Sequence, residues 1–478
     1  MLDKRLELCA KFVSGVGTVC DVGTDHAYLA VELIKSGKCS KVIASDINEG
    51  PLECARKNVE KYGVSDKVEL VLSDGLENIN LDGVTDIVIA GMGGETIVKI
   101  IDYYKHNSYD IRYILQPMTK PEILRKWLYD NRFSIISEEA VEDGDKIYTV
   151  MCVEMPEIAT HILTEYETIA GFFPDDDEMS KKYRRKQSER LEKKALSLEK
   201  AGRTNEAVHC RALSRKLIDG VKSERIKEIY NFLDSKYPFS LQESWDNSGL
   251  LVDNMFSNTK KVVLTLDITN NVAYEAMEKN VKLIISHHPV IFHPLKKIDT
   301  DNPVFNLIQY DIAAICMHTN LDIAEGGTNT TIVKKIAEKL EIASIEPFEE
   351  SGLGYIIELE ELIDTDDFSA ILKDIFNNEH IRVSRFQTGS ILRFAICSGS
   401  GGSLLGLAKE KDCDALITGD VKHDVWIDAN NRYITVFDCG HFHTENIVLW
   451  ELRRVLEEKF PLLDIEIAEN SVDPCIYL

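Results

Sequence analysis

KLIISHHPVIF, residues 282–292, decides how the second half of this chain folds. Leu283, Ile284 and Ile285 make a short continuous apolar run, the pattern of a strand covered on both faces. The run stops at His287, His288 and Pro289, and proline cannot extend a sheet ladder. Two ionisable rings at the end of a buried strand sit where open α/β sheets place their ligands, outside the carboxyl ends of the strands.

Working outward, the layout recurs. KVVLTLDITNNVAYEAMEKNVKLIISHHP (261–289) reads strand, turn, helix, strand, histidines, and RFAICSGSGGSLLGLAKEKDCDALITGDVKH (393–423) repeats it. DIAAICMHTNLD (311–322) followed by a helix is matched by RYITVFDCGHFHTE (432–445) followed by a helix. Two similar halves predict a pseudo-duplicated α/β module. Its strands end in His287 and His288, His318 and Asp322, Asp420 and His423, then His441, His443 and Glu445. His441 and Glu445, four apart where a helix begins, share one helix face. Imidazoles with carboxylates and no thiolate suit Zn, Fe or Mn. A pair of such ions sharing a carboxylate fits the number of ligands and points to hydrolysis of a nucleotide or phosphate-type substrate.

SWDNSGLLV (244–252), SHHP (286–289), HTNLD (318–322), TGDVKH (418–423) and GHFHTE (440–445) together resemble the GTP cyclohydrolase I type 2 homologue family of dinuclear-metal, hexameric proteins. That resemblance spans 221–478 and implies His287, His288, Asp322, His441 and Glu445 as the metal ligands, with Glu445 bridging. His443 and His423 would then sit near the metals without needing to bind them.

The first 155 residues alternate strands and helices without a histidine cluster. TVCDVG, KVIASD, VELVLSD, DIVIAGMGG and IRYILQP are strands separated by amphipathic stretches, which predicts a parallel sheet with helices on both faces. FSIISEEAVEDGDKIYTVMCVE (133–154) has no helix between its apolar runs and reads as an antiparallel pair at the sheet edge. Asp21 and Gly23 end the first strand, Asp46 the second and Asp74 the third. Only one of the three glycines of a GxGxxG fingerprint is present, so a pyrophosphate is poorly served. A ribose held by Asp46 and an adenine held by Asp74 describe S-adenosylmethionine better than NAD.

Those aspartates, TDHAYL (24–29), IAGMGG (89–94, with Gly91) and LQPM (115–118) resemble the TrmK family of tRNA methyltransferases, which methylate N1 of adenine at tRNA position 22. The resemblance implies a class I, Rossmann-like methyltransferase sheet using S-adenosylmethionine. Asp25, His26, Tyr28 and Gln116 are candidates for the pocket of the target base.

Residues 156–220 carry no strand signal and read as helical from EIATHILTEYETIAGFF (157–173) into a hairpin. Lys181 to Lys227 holds 16 Lys/Arg against 6 Asp/Glu, inside a chain of net charge -25. That net charge opposes blanket adhesion to nucleic acid or anionic lipid. The local excess fits either a solvated face or a grip on the tRNA backbone. LSRKLIDGVKSERIKEIYNFLDSKY (213–237) reads as nearly continuous helix joining hairpin to metal module.

Eleven scattered cysteines without a CxxC pair read as reduced thiols. With no leader-like segment or long apolar run, a cytoplasmic setting is expected. Three function classes stay open: a tRNA methyltransferase with a second hydrolase, a tRNA methyltransferase on an oligomerising metal-bearing scaffold, or a small-molecule methyltransferase whose hairpin serves subunit contact.

Overall fold

The computed structural model describes residues 2–15, 17–104, 111–156, 162–173 and 177–476. The chain divides into two compact units, Met1–Lys194 with Leu213–Gly220, and Ala195–Ala212 with Val221–Leu478. No helix among the described residues is long and apolar enough to cross a membrane.

The first unit starts with helix α1 (Lys4–Phe12), capped by the Asp3 carboxylate on the Leu6 N–H. Then follow β1 (Thr18–Val22), α2 (Tyr28–Lys35), β2 (Lys41–Asp46), α3 (Glu49–Lys61), β3 (Val68–Leu72) and β4 (Val84–Gly93). After them come α4 (Gly94–Tyr104), β5 (Arg112–Thr119), α5 (Pro121–Asp130), β6 (Ser134–Asp143) and β7 (Lys146–Glu154). The seven strands lie in the order β3-β2-β1-β4-β5-β7-β6. β1 to β5 are parallel, and β7 and β6 close the edge antiparallel, as the missing helix between them predicts.

Alternation along each strand builds two cores from one sheet. Val19, Val88 and Ile114 pack with α1, α2 and α3 on one face. Cys20, Ile87, Ile89, Tyr113 and Leu115 pack with α4 and α5 on the other. Each fully buried Leu, Ile or Val contributes about 1.5–3 kcal/mol of transfer free energy.

α6 (Glu165–Ala170), α7 (Glu178–Lys200) and α8 (Thr204–Asp219) follow. Of the helical stretch expected over 157–173, residues 157–161 lie outside the described residues, and the rest forms α6 behind a Thr164–Glu167 capping box. Arg125 of α5 and Glu138 of β6 form an ion pair 2.6 Å long with both side chains fully buried. The Thr168 carbonyl and the Tyr183 hydroxyl accept from the guanidinium as well, and the Phe172 N–H donates to Glu138, so sheet, α5, α6 and α7 meet at one charge pair.

The continuous helix expected over 213–237 is broken. α8 ends at Asp219, Gly220 turns left-handed (φ 75), and Glu224–Arg225 pair antiparallel with Asn258–Thr259 before the next helix, Ile226–Lys236.

The second unit holds two sheets. One orders Asp464–Ile467, Lys261–Thr265, Leu283–Ser286, Ala313–Cys316 and Gly249–Val252, the last antiparallel. The other orders Ile342–Pro347, Tyr355–Asp364, Ser390–Ile396, Ala415–Thr418, Thr435–Asp438 and Arg382–Val383. Each contains a run of three parallel strands consecutive in the chain. They are Lys261–Thr265, Leu283–Ser286 and Ala313–Cys316 in one sheet, and Ser390–Ile396, Ala415–Thr418 and Thr435–Asp438 in the other. This is the duplication that the two matching stretches of sequence predict.

Candidate metal centre and candidate cofactor cleft

In the second unit, strand Leu283–Ser286 ends in His287 and His288, and strand Ala313–Cys316 leads to His318 and a short helix carrying Asp322. Strand Thr435–Asp438 leads to the helix His441–Asn446, whose one face carries His441 and Glu445. These strand ends converge. All five ligands implied by the resemblance fall into groups whose donor atoms lie within 4.8 Å of one another: His288, His441 and Glu445 in one, His287, Asp322 and Glu445 in another.

Glu445 divides its two oxygens between those groups. Its Oε2 lies 2.9 Å from His288 Nε2 and 3.0 Å from His441 Nε2, which are themselves 3.2 Å apart. Its Oε1 lies 3.7 Å from His287 Nε2, and Asp322 Oδ1 is 3.6 Å from the same nitrogen.

The back of each ring is occupied. His288 Nδ1 meets Asp267 at 2.8 Å, His441 Nδ1 meets Asp420 at 2.8 Å, and His287 Nδ1 meets the Met317 carbonyl at 2.8 Å. These acceptors assign the proton to Nδ1 and aim each Nε2 lone pair inward, the arrangement that orients metal-ligating histidines. Lone pairs on three nitrogens then face carboxylate oxygens. His287 Nε2 and Glu445 Oε2 are buried with no hydrogen-bond partner. Such orphaned acceptors are costly unless a cation lies between them, so these residues fit a pair of divalent ions.

The same convergence favours protons. Burial opposes a charged His288, but the carboxylates of Asp267 and Glu445, 2.8 and 2.9 Å from its two nitrogens, outweigh it and hold the ring up at about 10. Burial likewise opposes charge on His441, and Glu445 holds it at about 9. Glu445 itself stays well below the carboxylate range, since His287 and the other rings overcome its desolvation.

His318 is legible as a strand-end histidine but stands outside the implied ligand set. The structure groups it with His287 and His288, and its Nδ1 meets Asp246 at 2.6 Å. Asp246 also accepts from Thr319 and Ser248, which ties SWDNSG to HTNLD. Asp267 is absent from the candidates drawn from the sequence, although LTLD repeats the strand-then-carboxylate pattern of the other ligand-bearing strands. His443 points to Asp473, 3.3 Å away, and His423 is exposed outside the three groups.

In the first unit, Gly23, Asp46 and Asp74 line one cavity of about 360 Å³ at the carboxyl ends of β1, β2 and β3. Met92 lines it too, and Gly23 turns left-handed (φ 81), a conformation in which any side chain is strained. Asp46 accepts from the Asn48 N–H at 2.8 Å, opening α3 behind the strand end. Asp21 does not line the cavity. It is buried beneath it, where desolvation, partly offset by a Thr24 hydrogen bond, raises its carboxyl to about 6.

Ala27, buried and left-handed (φ 53), ends the TDHAYL turn and leaves Asp25, His26 and Tyr28 on the surface. His26 lies 3.4 Å from Asp25, with its ring 5.4 Å from Tyr28. Gln116 is set apart from these three: fully buried, its Oε1 accepts from the Gly91 N–H at 3.0 Å and from Arg5 at 3.1 Å. Gly91 (φ 79) therefore sits against Gln116 and does not line the cavity. Arg5 carries no local sequence signal; its partner is 111 positions away.

Part of the hairpin's charge is neutralised locally, with Lys182 on Glu142 and Arg190 on Glu122. Arg185, Lys194, Lys200 and Arg215 are exposed and form no ion pair among the described residues.

Fold and sites define a two-module α/β protein, one module a doubly wound sheet with a nucleoside-sized cleft, the other a histidine–carboxylate centre. Residues 224–475 match the Duf34/NIF3 (NGG1p interacting factor 3) family, and residues 2–151 match a methyltransferase domain. The chain belongs to the Duf34/NIF3 family and carries a methyltransferase domain fused ahead of it. It is 30% identical over 263 residues to the GTP cyclohydrolase 1 type 2 homolog of Clostridium acetobutylicum, covering 53% of this chain and 98% of that one. It is 36% identical over 154 residues to the tRNA (adenine(22)-N(1))-methyltransferase of Bacillus subtilis, covering 32% of this chain and 65% of that relative. A crystal structure of a Staphylococcus aureus hypothetical protein aligns with 28% identity and a TM-score of 0.48, over 53% of this chain and 99% of that one. A methyltransferase domain implies use of S-adenosylmethionine.

Proposed function

We propose that the N-terminal part transfers the methyl group of S-adenosylmethionine to N1 of an adenine in tRNA, position 22 by resemblance. The observation that carries this reading is the shared cavity of Gly23, Asp46 and Asp74. Asp46 holds the ribose hydroxyls and Asp74 the adenine amino group of the donor, with Asp21 supporting the turn from beneath. Residues 1–155 carry this chemistry, and the basic hairpin of 156–220 grips the RNA backbone through Arg185, Lys194, Lys200 and Arg215.

Adenine N1 has an in-plane lone pair that attacks the sulfonium methyl directly, so the enzyme's task is alignment and no strong base is needed. N1 lies on the pairing edge, and the target base must leave its stack to be reached. Asp25, His26 and Tyr28, exposed just after the Gly23 turn, receive that base, and Gln116 holds the Gly91 turn through its N–H. The reading is tested by methyl transfer from labelled S-adenosylmethionine to unmodified tRNA, with Asp46→Ala alongside and the modified position mapped. Label at N1 of adenine 22, lost in the variant, supports it; donor binding without transfer to tRNA overturns it in favour of a small-molecule acceptor.

In residues 221–478, His288, His441 and Glu445 hold one divalent ion, and His287, Asp322 and Glu445 a second. Two such ions supply Lewis-acid polarisation and activation of water, the chemistry of hydrolysis. Asp267, Asp420 and the Met317 carbonyl keep the three rings in the ligating tautomer. The alternative, a hexameric scaffold with structural metals, rests on the resemblance alone and predicts that chelation changes mass in solution while leaving no hydrolytic activity to lose.

A further inference from the structure

Arg5 stands on α1, outside every strand end of the first unit, and its guanidinium reaches into the sheet. Only 17% of the side chain is exposed. Nη2 donates to Asp3 at 2.6 Å and Nε to Asp143 of β6 at 3.3 Å. The guanidinium also lies over the Tyr148 ring of β7, 5.3 Å from its centre. Those two carboxylates already answer the charge, and an arginine that served only to fasten α1 to the sheet edge needs nothing more.

Its remaining nitrogen is spent on a neutral group. Nη1 donates to Gln116 Oε1 at 3.1 Å and touches the Met118 sulfur. The same amide oxygen accepts from the Gly91 N–H at 3.0 Å, and the amide Nε2 donates to the Pro117 carbonyl at 3.0 Å. Gln116 is fully buried, and the two ends of its amide have nearly the same shape, so their orientation rests on their partners. A guanidinium offers donors alone, and so does a backbone N–H. Both demand the oxygen. Turned over, the amide would set an NH2 group against two donors in the interior, where unpaired polar groups are costly.

The strands that Gln116 joins separate two cavities. Met92, next to Gly91 on β4, lines the cavity of Gly23, Asp46 and Asp74. Its ladder partner on β5, Pro117, lines a second cavity of about 310 Å³ with Met118, Tyr148, and Gln187 and Arg190 of the basic helix α7. Adjacent strands lie about 4.8 Å apart, so the wall is one strand spacing thick. Arg5 touches Met118 and Tyr148 of the second cavity and, through Gln116, the turn that leads into Met92 of the first. RNA held by α7 meets the donor across this wall.

We propose that Arg5 is a positioning residue for methyl transfer: it fixes the Gln116 amide, which holds the Gly91–Met92 turn in register between donor and acceptor. This rests on the reading of the first unit as a tRNA methyltransferase.

The test measures methyl transfer to unmodified tRNA by the full chain, by Arg5→Lys, by Gln116→Met and by the double variant, with donor binding followed by calorimetry. Lysine brings a flexible ammonium in place of the planar fork. Expected for Arg5→Lys is a kcat lower by about tenfold or more, with donor Kd and the KM for tRNA within about twofold of the parent, since misalignment acts on the transfer step. In the Gln116→Met background the same replacement is expected to change kcat by no more than about twofold, because the partner it acts through is gone. Unchanged kcat in Arg5→Lys overturns the proposal, as does the full loss repeated in the Gln116→Met background. Donor binding lost along with kcat also overturns it, and makes Arg5 a fastening of the fold. A parent chain that binds donor yet methylates no tRNA overturns the tRNA reading, and the proposal with it.

Discussion

Glu445 Oε2 and His288 Nε2 stand 2.9 Å apart in the interior of the second unit, and the ring's Nδ1 is already committed to Asp267. Two lone pairs facing each other call for a cation. Metal analysis of the full chain is expected to give two divalent ions per chain, and Glu445→Gln to lose at least one. Asp267→Asn, which touches no ion, is expected to weaken metal binding about 10–100-fold by releasing the ring of His288. Full occupancy in Glu445→Gln would remove the shared-carboxylate arrangement.

Arg125 and Glu138 bury a full charge each, so removing one strands the other. Arg125→Met or Glu138→Gln is expected to cost about 3–5 kcal/mol of first-unit stability in chemical denaturation. The double replacement Arg125→Met with Glu138→Leu should recover much of that loss, as paired apolar side chains leave no charge uncompensated. Single variants as stable as the parent chain would show that the pair is hydrated.

Asp21 ties stability to pH. Its carboxyl is raised from 3.8 to about 6 in the folded chain, so the folded state holds its proton more tightly than the unfolded one. The resulting stabilisation is complete below pH 3.8 and is lost as pH rises through about 6. The full difference is at most about 3 kcal/mol. Asp21→Asn should therefore gain on the parent chain between pH 4 and 7 in denaturant titrations, and a constant gap across that range would contradict the burial argument.

Gly23→Ala places a methyl group against Met92 in a left-handed turn. S-adenosylmethionine affinity by calorimetry should fall at least tenfold, or about 1.4 kcal/mol, and Asp46→Ala should do the same without changing tRNA affinity. Unaltered donor binding in both variants would move the donor out of the cavity.

Charge reversal at Arg185, Lys194, Lys200 and Arg215 should reduce the log–log salt slope of tRNA binding by roughly 0.7–0.9 for each phosphate no longer neutralised. An unchanged slope would return the hairpin to a solvated face.

Much of this molecule is readable from one-dimensional patterns. Strand-end residues such as His287, Asp46 and Asp74 announce themselves because an apolar run stops at them, and the duplicated parallel strands follow from two matching stretches. What stays hidden depends on distance along the chain. Asp246 supports His318 across 72 positions, and Arg5 reaches Gln116 across 111, so no local periodicity records either pairing. The break after Asp219 is hidden for a related reason: helical spacing continues through Gly220, while the pairing of Glu224–Arg225 with Asn258–Thr259 is non-local. Gln116 stands out in the sequence as a polar strand-end residue, and only the folded chain shows its side chain taken up by the Gly91 turn.

The division of the chain has a consequence for anyone who would separate the two modules. Because Ala195–Ala212 belongs to one compact unit and the flanking Met1–Lys194 and Leu213–Gly220 to the other, the backbone passes between the units three times. Inside Ala195–Ala212, His209 meets Glu457 at 2.7 Å and Arg453 at 3.0 Å in a buried cluster. A gene cut after codon 220 would thus deliver a C-terminal product missing part of its own interior. No single scission yields both halves whole, so the fusion cannot be undone by one stop codon or one protease site.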